Sequence, residues 1–539
     1  MMSSFYRRFI RISIAFFRGY VNGKVKLYSW KEILTVEFVG NSAIIKKKSV
    51  KGICKMKRII CFLIAAQMLL LAACGSGDES GKETTAGSAG DETTSSTEST
   101  EKTRFDELGA KDLGGRDIVI MEATDYPSDT MNFYDSEKNG DTINDAIYTR
   151  DAKIGDMYKA NIKYIVSTSS PDGIQQITNG YLAGDKVCDI VYGVAASDDA
   201  LRNLAVQGML ANLNDISYLS FDKPWWSNFA HENLTLGGKA YLATGDIMPH
   251  AYTAPIVMTG NLALLEKYTP DEDIYELVES GNWTVDKLVE YAKFNDDLDG
   301  DGKLHTGHDF FGYVGDSTGG GLVAGAFVTS AGVDLCVNTG DSLTVSLDNE
   351  KTIDVVSKLA KLMPGEKMDD RREYVTTFTD GRAIFIQAYM GDIATYMRDM
   401  NDDYLILPMP KYDTEQENYR SMMNAWGTCF MGIMSNTDVD DIGFIAEALA
   451  YESYNSVRPE VYEKLLKLKL ARDERSTNMI DTIFDGLTID FNALCDFGGT
   501  ISVIADSIYK GKPLASNMAK KQPAADEAIE KFVEGWTQE

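Results

Sequence analysis

Asp117-Ile118-Val119-Ile120-Met121 is the stretch on which the fold turns: four apolar residues in a row, three of them β-branched, entered from Gly114-Gly115-Arg116. A short continuous apolar run bounded by turn residues is the pattern of a strand buried on both faces. Downstream, Asp141 or Thr142 can cap a helix, and Ile143, Ala146, Ile147, Ile154, Met157 and Tyr158 recur on one of its faces at the helical period. Asn161 to Val166 (NIKYIV) returns as a strand, a helix around Gly173 to Ala183 follows, and Cys188-Asp189-Ile190-Val191-Tyr192 is a further buried run. Strands alternating with helices predict an open α/β sheet, the first lobe of the molecule.

From about Thr284 onward helices dominate, over 284–294, 322–330, 351–363, 442–453, 459–470 and 526–536. Strand signals resume at Arg382-Ala383-Ile384-Phe385-Ile386 and at Tyr404-Leu405-Ile406-Leu407, the second closed by Pro408-Met409-Pro410. Strands that return after a long helical stretch predict a chain crossing between two lobes more than once. The expected division gives residues 104–240 and about 370–425 to lobe 1, and about 241–369 and 426–539 to a helix-rich lobe 2. No internal repeat is visible.

Toward the N-terminus, Met56 to Cys74 (MKRIICFLIAAQMLLLAAC) has the positive start, fifteen-residue apolar core and small-residue close of a secretion signal. The core is shorter than the roughly 18–20 residues of a spanning helix. Its end resembles a bacterial lipoprotein box, which implies cleavage after residue 73, a lipid on Cys74, and a protein anchored in the cell membrane at its extracellular face. Residues 1–55 are basic and lack the caps and periodicity of a packed domain, so they are read as an upstream extension outside the native protein. Residues 74–103 are almost wholly Gly, Ser, Thr, Glu, Asp, Lys and Ala, a composition that cannot offset ordering entropy and predicts a disordered tether.

Residues 1–73 hold 14 of the 53 basic residues and 2 of the 81 acidic ones, so the remaining 466 residues carry a formal charge near −40. That excludes nucleic acid as a partner and favours a soluble monomer. Cys188, Cys336, Cys429 and Cys495 are widely spaced, with no paired metal-ligand spacing, and are expected to be buried free thiols.

Several segments together resemble the extracellular solute-binding protein family 1, the substrate-binding lipoproteins of ABC importers. They are NDAIYTRD (144–151), CDIVYG (188–193), FDKPWW (221–226), GGKAYLATGD (237–246), NWTVDKLVEYAKF (282–294), FTDGRAIFI (378–386) and LPMPKYD (407–413), and their order spans Arg116 to Trp536. The resemblance implies an α/β, two-lobed periplasmic-binding-protein-like fold of type II style, with hinge-crossing strands that close on a solute. It also implies a small polar solute, above all a sugar or oligosaccharide, delivered to ABC transporter permease subunits.

The sharpest local motif is Asp297-Leu298-Asp299-Gly300-Asp301-Gly302-Lys303, the D-x-D-x-D-G opening of a calcium loop. Asp297, Asp299 and Asp301 would ligate through carboxylates and Lys303 through its carbonyl. Position 12 is His308 rather than Glu, so the closing ligand is Asp309, one residue late, and Phe310 to Val314 reads as a strand. The expectation is a structural Ca2+, with a solvated acidic turn as the alternative. His305 and His308 have no third ligand nearby and are expected at the surface.

For the solute, polar and aromatic residues at strand ends are the candidates, because open α/β sheets bind ligands there. They are Glu122, Asp125 and Tyr126 after the first strand, Asp246, Asp316 before Gly319-Gly320-Gly321, Tyr389 and Trp426. Trp225-Trp226 offers either a stacking platform for a sugar ring or closure of the core. Trp283, beside the N-cap Thr284, can staple against Leu288 or reach the solute. The chain lacks H-E-x-x-H, a P-loop and a dinucleotide fingerprint. A binding protein that is not an enzyme is therefore expected; a secreted calcium-stabilised glycoside hydrolase and a non-transport sensor are the competing readings.

Overall fold

The computed structural model describes residues 102–123, 137–196, 200–315, 321–362, 371–471 and 474–538, together with four strands upstream. The signal segment, Cys74, nearly all of the tether, Asp125, Tyr126 and Asp316 lie outside the described residues. No helix of the described residues is long and apolar enough to cross a membrane.

The four upstream strands, β1 (Phe17–Val21), β2 (Lys24–Tyr28), β3 (Glu32–Val39) and β4 (Ser42–Ser49), pair in sequence order as an antiparallel meander. Residues 1–55, read as an upstream extension, thus contain these four paired strands. The signal passed over is the period-two recurrence of Leu34, Val36 and Phe38 in β3.

The remainder of the chain begins at a capping box. Thr103 Oγ1 accepts the Asp106 N–H at 3.2 Å, and Asp106 Oδ2 accepts the Thr103 N–H at 2.9 Å, opening α1 (Arg104–Leu108). There follow β5 (Arg116–Ala123), α2 (Thr142–Tyr158), β6 (Ala160–Val166), α3 (Ser170–Ala183) and β7 (Ile190–Val194). Then come β8 (Ile256–Asn261), α4 (Val285–Tyr291), β9 (Phe311–Val314), α5 (Leu322–Ser330), β10 (Ala383–Tyr389) and β11 (Tyr404–Leu407). The chain finishes with β12 (Cys429–Ile433), α6 (Val439–Ser456), a π-helical segment over Pro459–Leu470, and a C-terminal helix, α7 (Leu514–Thr537).

Two four-stranded sheets organise these elements. The first has the order β12-β7-β5-β6, with β5 parallel to β6 and β7 and with β12 antiparallel to β7. The second has the order β11-β8-β10-β9, with β10 parallel to β9 and antiparallel to β8. Ile118 and Ile120 pack with Ile154, Tyr158 and Phe444 on one face of the first sheet, and Met121 and Ala123 with Ile174 and Ile177 on the other. That two-sided burial is why β5 reads as an uninterrupted apolar run.

The lobe division differs from the sequence expectation. β10 and β11 belong to the second sheet, where the expectation places residues 370–425 in lobe 1, and β12 with α6 belongs to the first, where it places 426–539 in lobe 2. An apolar strand declares its burial locally but not its partners, which come from distant sequence.

Arg150, in the NDAIYTRD segment of α2, is fully buried, and its guanidinium is spent on structure. It donates to Asp151 Oδ1 (2.8 Å), Tyr164 Oη (2.8 Å), Ser453 Oγ (2.9 Å) and the Ile247 carbonyl (3.1 Å). This one side chain joins α2, β6, α6 and the segment leaving the first sheet.

Candidate functional site

Strand direction fixes where the two sheets open. β5, β6 and β7 are parallel, so Ala123, Val166 and Val194 end on one edge, and β12 starts there, with Cys429 opposite Val194. In the second sheet Ile256 faces Tyr389, Met258 faces Leu407, and Ile386 faces Val314, so the start of β8 and the ends of β9, β10 and β11 share an edge. Segments 243–255 and 423–431 connect these two edges and run side by side. Ala243 bridges Met431, Pro255 bridges Met423, and the Asn424 N–H donates to the Ala254 carbonyl at 2.8 Å. The edges are the walls of a cleft and the two crossing segments are its floor.

The floor is braced from the first lobe. Gly245 bridges Trp226, and the Asp246 N–H donates to the Trp225 carbonyl at 3.0 Å; a Cβ on Gly245 would lie 2.4 Å from that carbonyl oxygen, so the approach needs glycine. The two tryptophans are core residues, 7 % and 4 % exposed, and their indole N–H groups both donate to the fully buried Glu447, at 3.2 and 2.8 Å. Glu447 also accepts from Arg104 Nε at 2.8 Å and from the Ser220 N–H at 3.2 Å. Between the two roles left open for this pair, the geometry is that of core closure: Trp225 is edge-on to Tyr451, and no ring face is presented to the cleft.

Trp283 is likewise buried. It donates to the Pro408 carbonyl at 2.9 Å and packs against Phe385 and Tyr291, while Thr284 caps α4 through the Lys287 N–H. The expected solute contact at Trp283 is not available to a side chain with no exposed surface.

Of the remaining candidates, Glu122 and Asp246 lie at the cleft, but beneath its surface. Glu122, at the C-terminal end of β5, is 1 % exposed; Oε1 stands 3.7 Å from His250 Nε2, and Oε2 has no hydrogen-bond partner among the described residues. Burial pushes its carboxyl up from 4.5 to about 7. Asp246 is buried on the floor and accepts the Tyr252 hydroxyl, with Arg458 contributing an opposing charge. Burial outweighs both and carries it from 3.8 to about 7. Tyr389 ends β10 half-buried on the second wall, where the next N–H, of Met390, donates to the Pro255 carbonyl at 3.0 Å. Trp426 is different in kind: it is 50 % exposed, the one tryptophan of the described residues that is not in a core.

Residues that the sequence reading passed over are Arg150, Glu447, His250 and Asn424. Glu447 had a readable signal, a lone carboxylate among Phe444, Ile445, Ala446, Ala448 and Leu449 on an apolar helix. Asn424-Ala425-Trp426-Gly427 had a turn signal.

Away from the cleft, Asp297, Asp299 and Asp309 bring one carboxylate oxygen each within 4.8 Å of one another. Asp297 accepts the Gly300 and Gly302 N–H groups at 2.6 and 2.7 Å, and Asp309 accepts those of Leu298 and His305 at 2.8 and 2.7 Å. For Asp309, burial acts upward, but the backbone N–H donors prevail and hold its carboxyl below the usual range. Asp301 stands outside this trio, accepting the Lys303 N–H at 2.8 Å. The loop leads into β9 rather than a second helix. Cys188, Cys336, Cys429 and Cys495 are free thiols, and burial pushes Cys188, Cys336 and Cys495 up to about 12. Two open depressions, about 650 Å³ beside Lys351 and Tyr412 and about 920 Å³ along β6 and α2, do not border the crossing segments.

No family model matches the chain, and no curated protein does. Solved structures are similar to it. One is the galacto-N-biose/lacto-N-biose I-binding protein of an ABC transporter from Bifidobacterium longum, at 15% identity over 78% of this chain and 99% of that one, with a TM-score of 0.50. Another is the cyclic α-maltosyl-1,6-maltose-binding protein from Arthrobacter globiformis, at 13% identity over 78% and 99%, TM-score 0.50. A third is an ABC transporter solute-binding protein from Thermotoga lettingae TMO bound with α-D-tagatose, at 13% identity over 77% and 100%, TM-score 0.50. At such identities the likeness is one of fold. The chain has the α/β, two-lobed periplasmic-binding-protein-like architecture that the sequence analysis anticipated.

Proposed function

We propose that this is a lipid-anchored extracellular solute-binding protein that holds a sugar or oligosaccharide between its lobes and delivers it to the permease subunits of an ABC importer, with no chemistry of its own. The observation that carries this reading is the pair of sheets whose open edges meet across shared crossing segments, with the half-exposed indole of Trp426 on the floor. An aromatic face accepts the C–H groups of a pyranose, the usual platform in a site for a neutral sugar. The structural neighbours named for lacto-N-biose, for a cyclic maltosyl-maltose and for tagatose point the same way. Lipidation at Cys74 and a monomeric state belong to the same proposal.

Thermal shift against a panel of mono- and oligosaccharides is the test. A bound saccharide at about 100 times its Kd stabilises the fold by about 2.7 kcal/mol, and Trp426→Ala weakens that binding about tenfold. Saccharide cleavage by the purified protein that disappears in a carboxylate variant would replace this reading with a hydrolase.

A structural Ca2+ on Asp297, Asp299 and Asp309 is part of the proposal, since three converging carboxylates supply the hard oxygen ligands that calcium takes, with backbone carbonyls and water completing the shell. Chelator treatment is expected to lower the melting temperature of the wild type and to leave Asp299→Ala unchanged. An identical chelator response in both proteins removes the ion from the account.

A further inference from the structure

We infer that Asn424 is the positioning residue that sets the pose of the Trp426 indole and ties it to both lobes; the indole's role in solute contact rests on the reading above, while its geometry does not. Asn424 stands where the crossing segments meet. Its N–H donates to the Ala254 carbonyl at 2.8 Å, two residues before β8 begins, and Met423 beside it bridges Pro255.

From that point Asn424 closes the turn that carries the tryptophan. Its side-chain Oδ1 accepts the Trp426 N–H at 3.0 Å, and its own carbonyl accepts the N–H groups of Gly427 and Thr428 at 3.0 and 2.8 Å. An asparagine side chain that accepts the N–H two residues ahead is an Asx turn, a local device that fixes backbone without help from a helix or sheet. The far side of the turn is held from the first lobe, where the Ala196 N–H, just past β7, donates to the Ala425 carbonyl at 3.2 Å.

The base of the turn is fully buried at Ala425 and Thr428, so the exposed indole rises from a rigid support. Gly427 completes it: a Cβ there would lie 2.9 Å from Asn424 Nδ2, and a side chain would displace the amide that holds Trp426. A platform fixed before the solute arrives spares the ordering cost that a loose tryptophan would impose on binding. Because its supports come from the end of β7 and the start of β8, the turn also moves when the sheets move.

The test uses the whole chain labelled with 5-fluorotryptophan. Its six tryptophans give separate fluorine resonances, and Trp426→Phe assigns the one of interest. Asn424→Ala is expected to shift or broaden the Trp426 resonance while those of Trp225, Trp226, Trp283 and Trp536 hold their positions. Asn424→Asp, which keeps the Oδ acceptor, restores it; Gly427→Ala, which keeps Asn424 but crowds its amide, moves it again. A Trp426 resonance unmoved by Asn424→Ala overturns the inference, as does one that Asn424→Asp moves equally. Should Asn424→Ala lose the four core resonances, Gly427→Ala decides, and an unmoved line there is equally fatal. For any saccharide from the panel that binds, Asn424→Ala weakens Kd about fivefold and Asn424→Asp restores it. If none binds the wild type while the fluorine pattern is as stated, the solute reading fails and the positioning role stands.

Discussion

Arg150→Ala is expected to destabilise the protein by about 3–5 kcal/mol, the range for removing one member of a buried ion pair. The guanidinium has no exposed surface, and four groups are built around it: the Asp151 carboxylate, the Tyr164 and Ser453 hydroxyls and the Ile247 carbonyl. Truncation strands the carboxylate, which burial already pushes upward against the pull of Arg150 and the Tyr164 hydroxyl. It also opens a cavity and frees the segment that runs through Asp246 and His250 to β8. Urea denaturation followed by circular dichroism measures the change. Arg150→Lys keeps the charge but cannot form the planar fork, so it recovers less than half of the loss. A midpoint shift worth under about 1 kcal/mol for Arg150→Ala would show that the network contributes little beyond what an exposed pair does.

Arg150 also illustrates how much was legible in the sequence. The elements of the first lobe were readable because each announces itself locally: DIVIM is buried on both faces, and Ile143, Ile147 and Ile154 recur at the helical period and are all buried in the structure. Sheet membership was not readable. Ala383–Ile386 and Cys429–Ile433 are similar apolar runs, and which sheet each joins depends on partners far away, in β8 for the first and β7 for the second. The site suffered from the same distance. Trp225 and Trp226 have the chemistry of a sugar platform until Glu447, 221 residues after Trp226, takes up their N–H groups. Trp426 is distinguished from the others only by exposure, which no residue pattern encodes. The acidic loop stood between these cases: its spacing drew attention to Asp297, Asp299 and Asp309, whose carboxylates converge, and to Asp301, which accepts the Lys303 N–H instead.

Stability is expected to peak at about pH 4 and to fall by a few kcal/mol toward pH 8, a direction opposite to that of a protein whose carboxylates are all paired. Asp490, raised by burial to about 6, adds to the decline and His231, lowered by burial, opposes it, but the main cause is the pair Glu122 and Asp246. Each is buried with a folded value of about 7 against 4.5 and 3.8 in the unfolded chain. Between those limits the folded protein holds protons that the unfolded chain has released, so stability declines as pH rises through the interval and levels off above about 7. Each unit of separation corresponds to 1.36 kcal/mol, so the upper figure is roughly 3 kcal/mol for Glu122 and roughly 4 kcal/mol for Asp246. Below about pH 4 the opposite class takes over. For Asp189 burial acts upward, but the Lys186 ammonium, the Thr437 hydroxyl and the Val119 N–H prevail and hold it low, and Asp273 is held low by Arg475; protonating these in strong acid removes stability. Chemical denaturation from pH 5 to 8 reads the curve. Glu122→Gln, which keeps the shape and cannot ionise, is expected to flatten part of the decline and to be more stable than the wild type at pH 8. A wild-type curve that is level or rising between pH 5 and 8 would mean that water or a cation reaches these carboxyls in solution, and the cleft floor would then be wetter than its packing indicates.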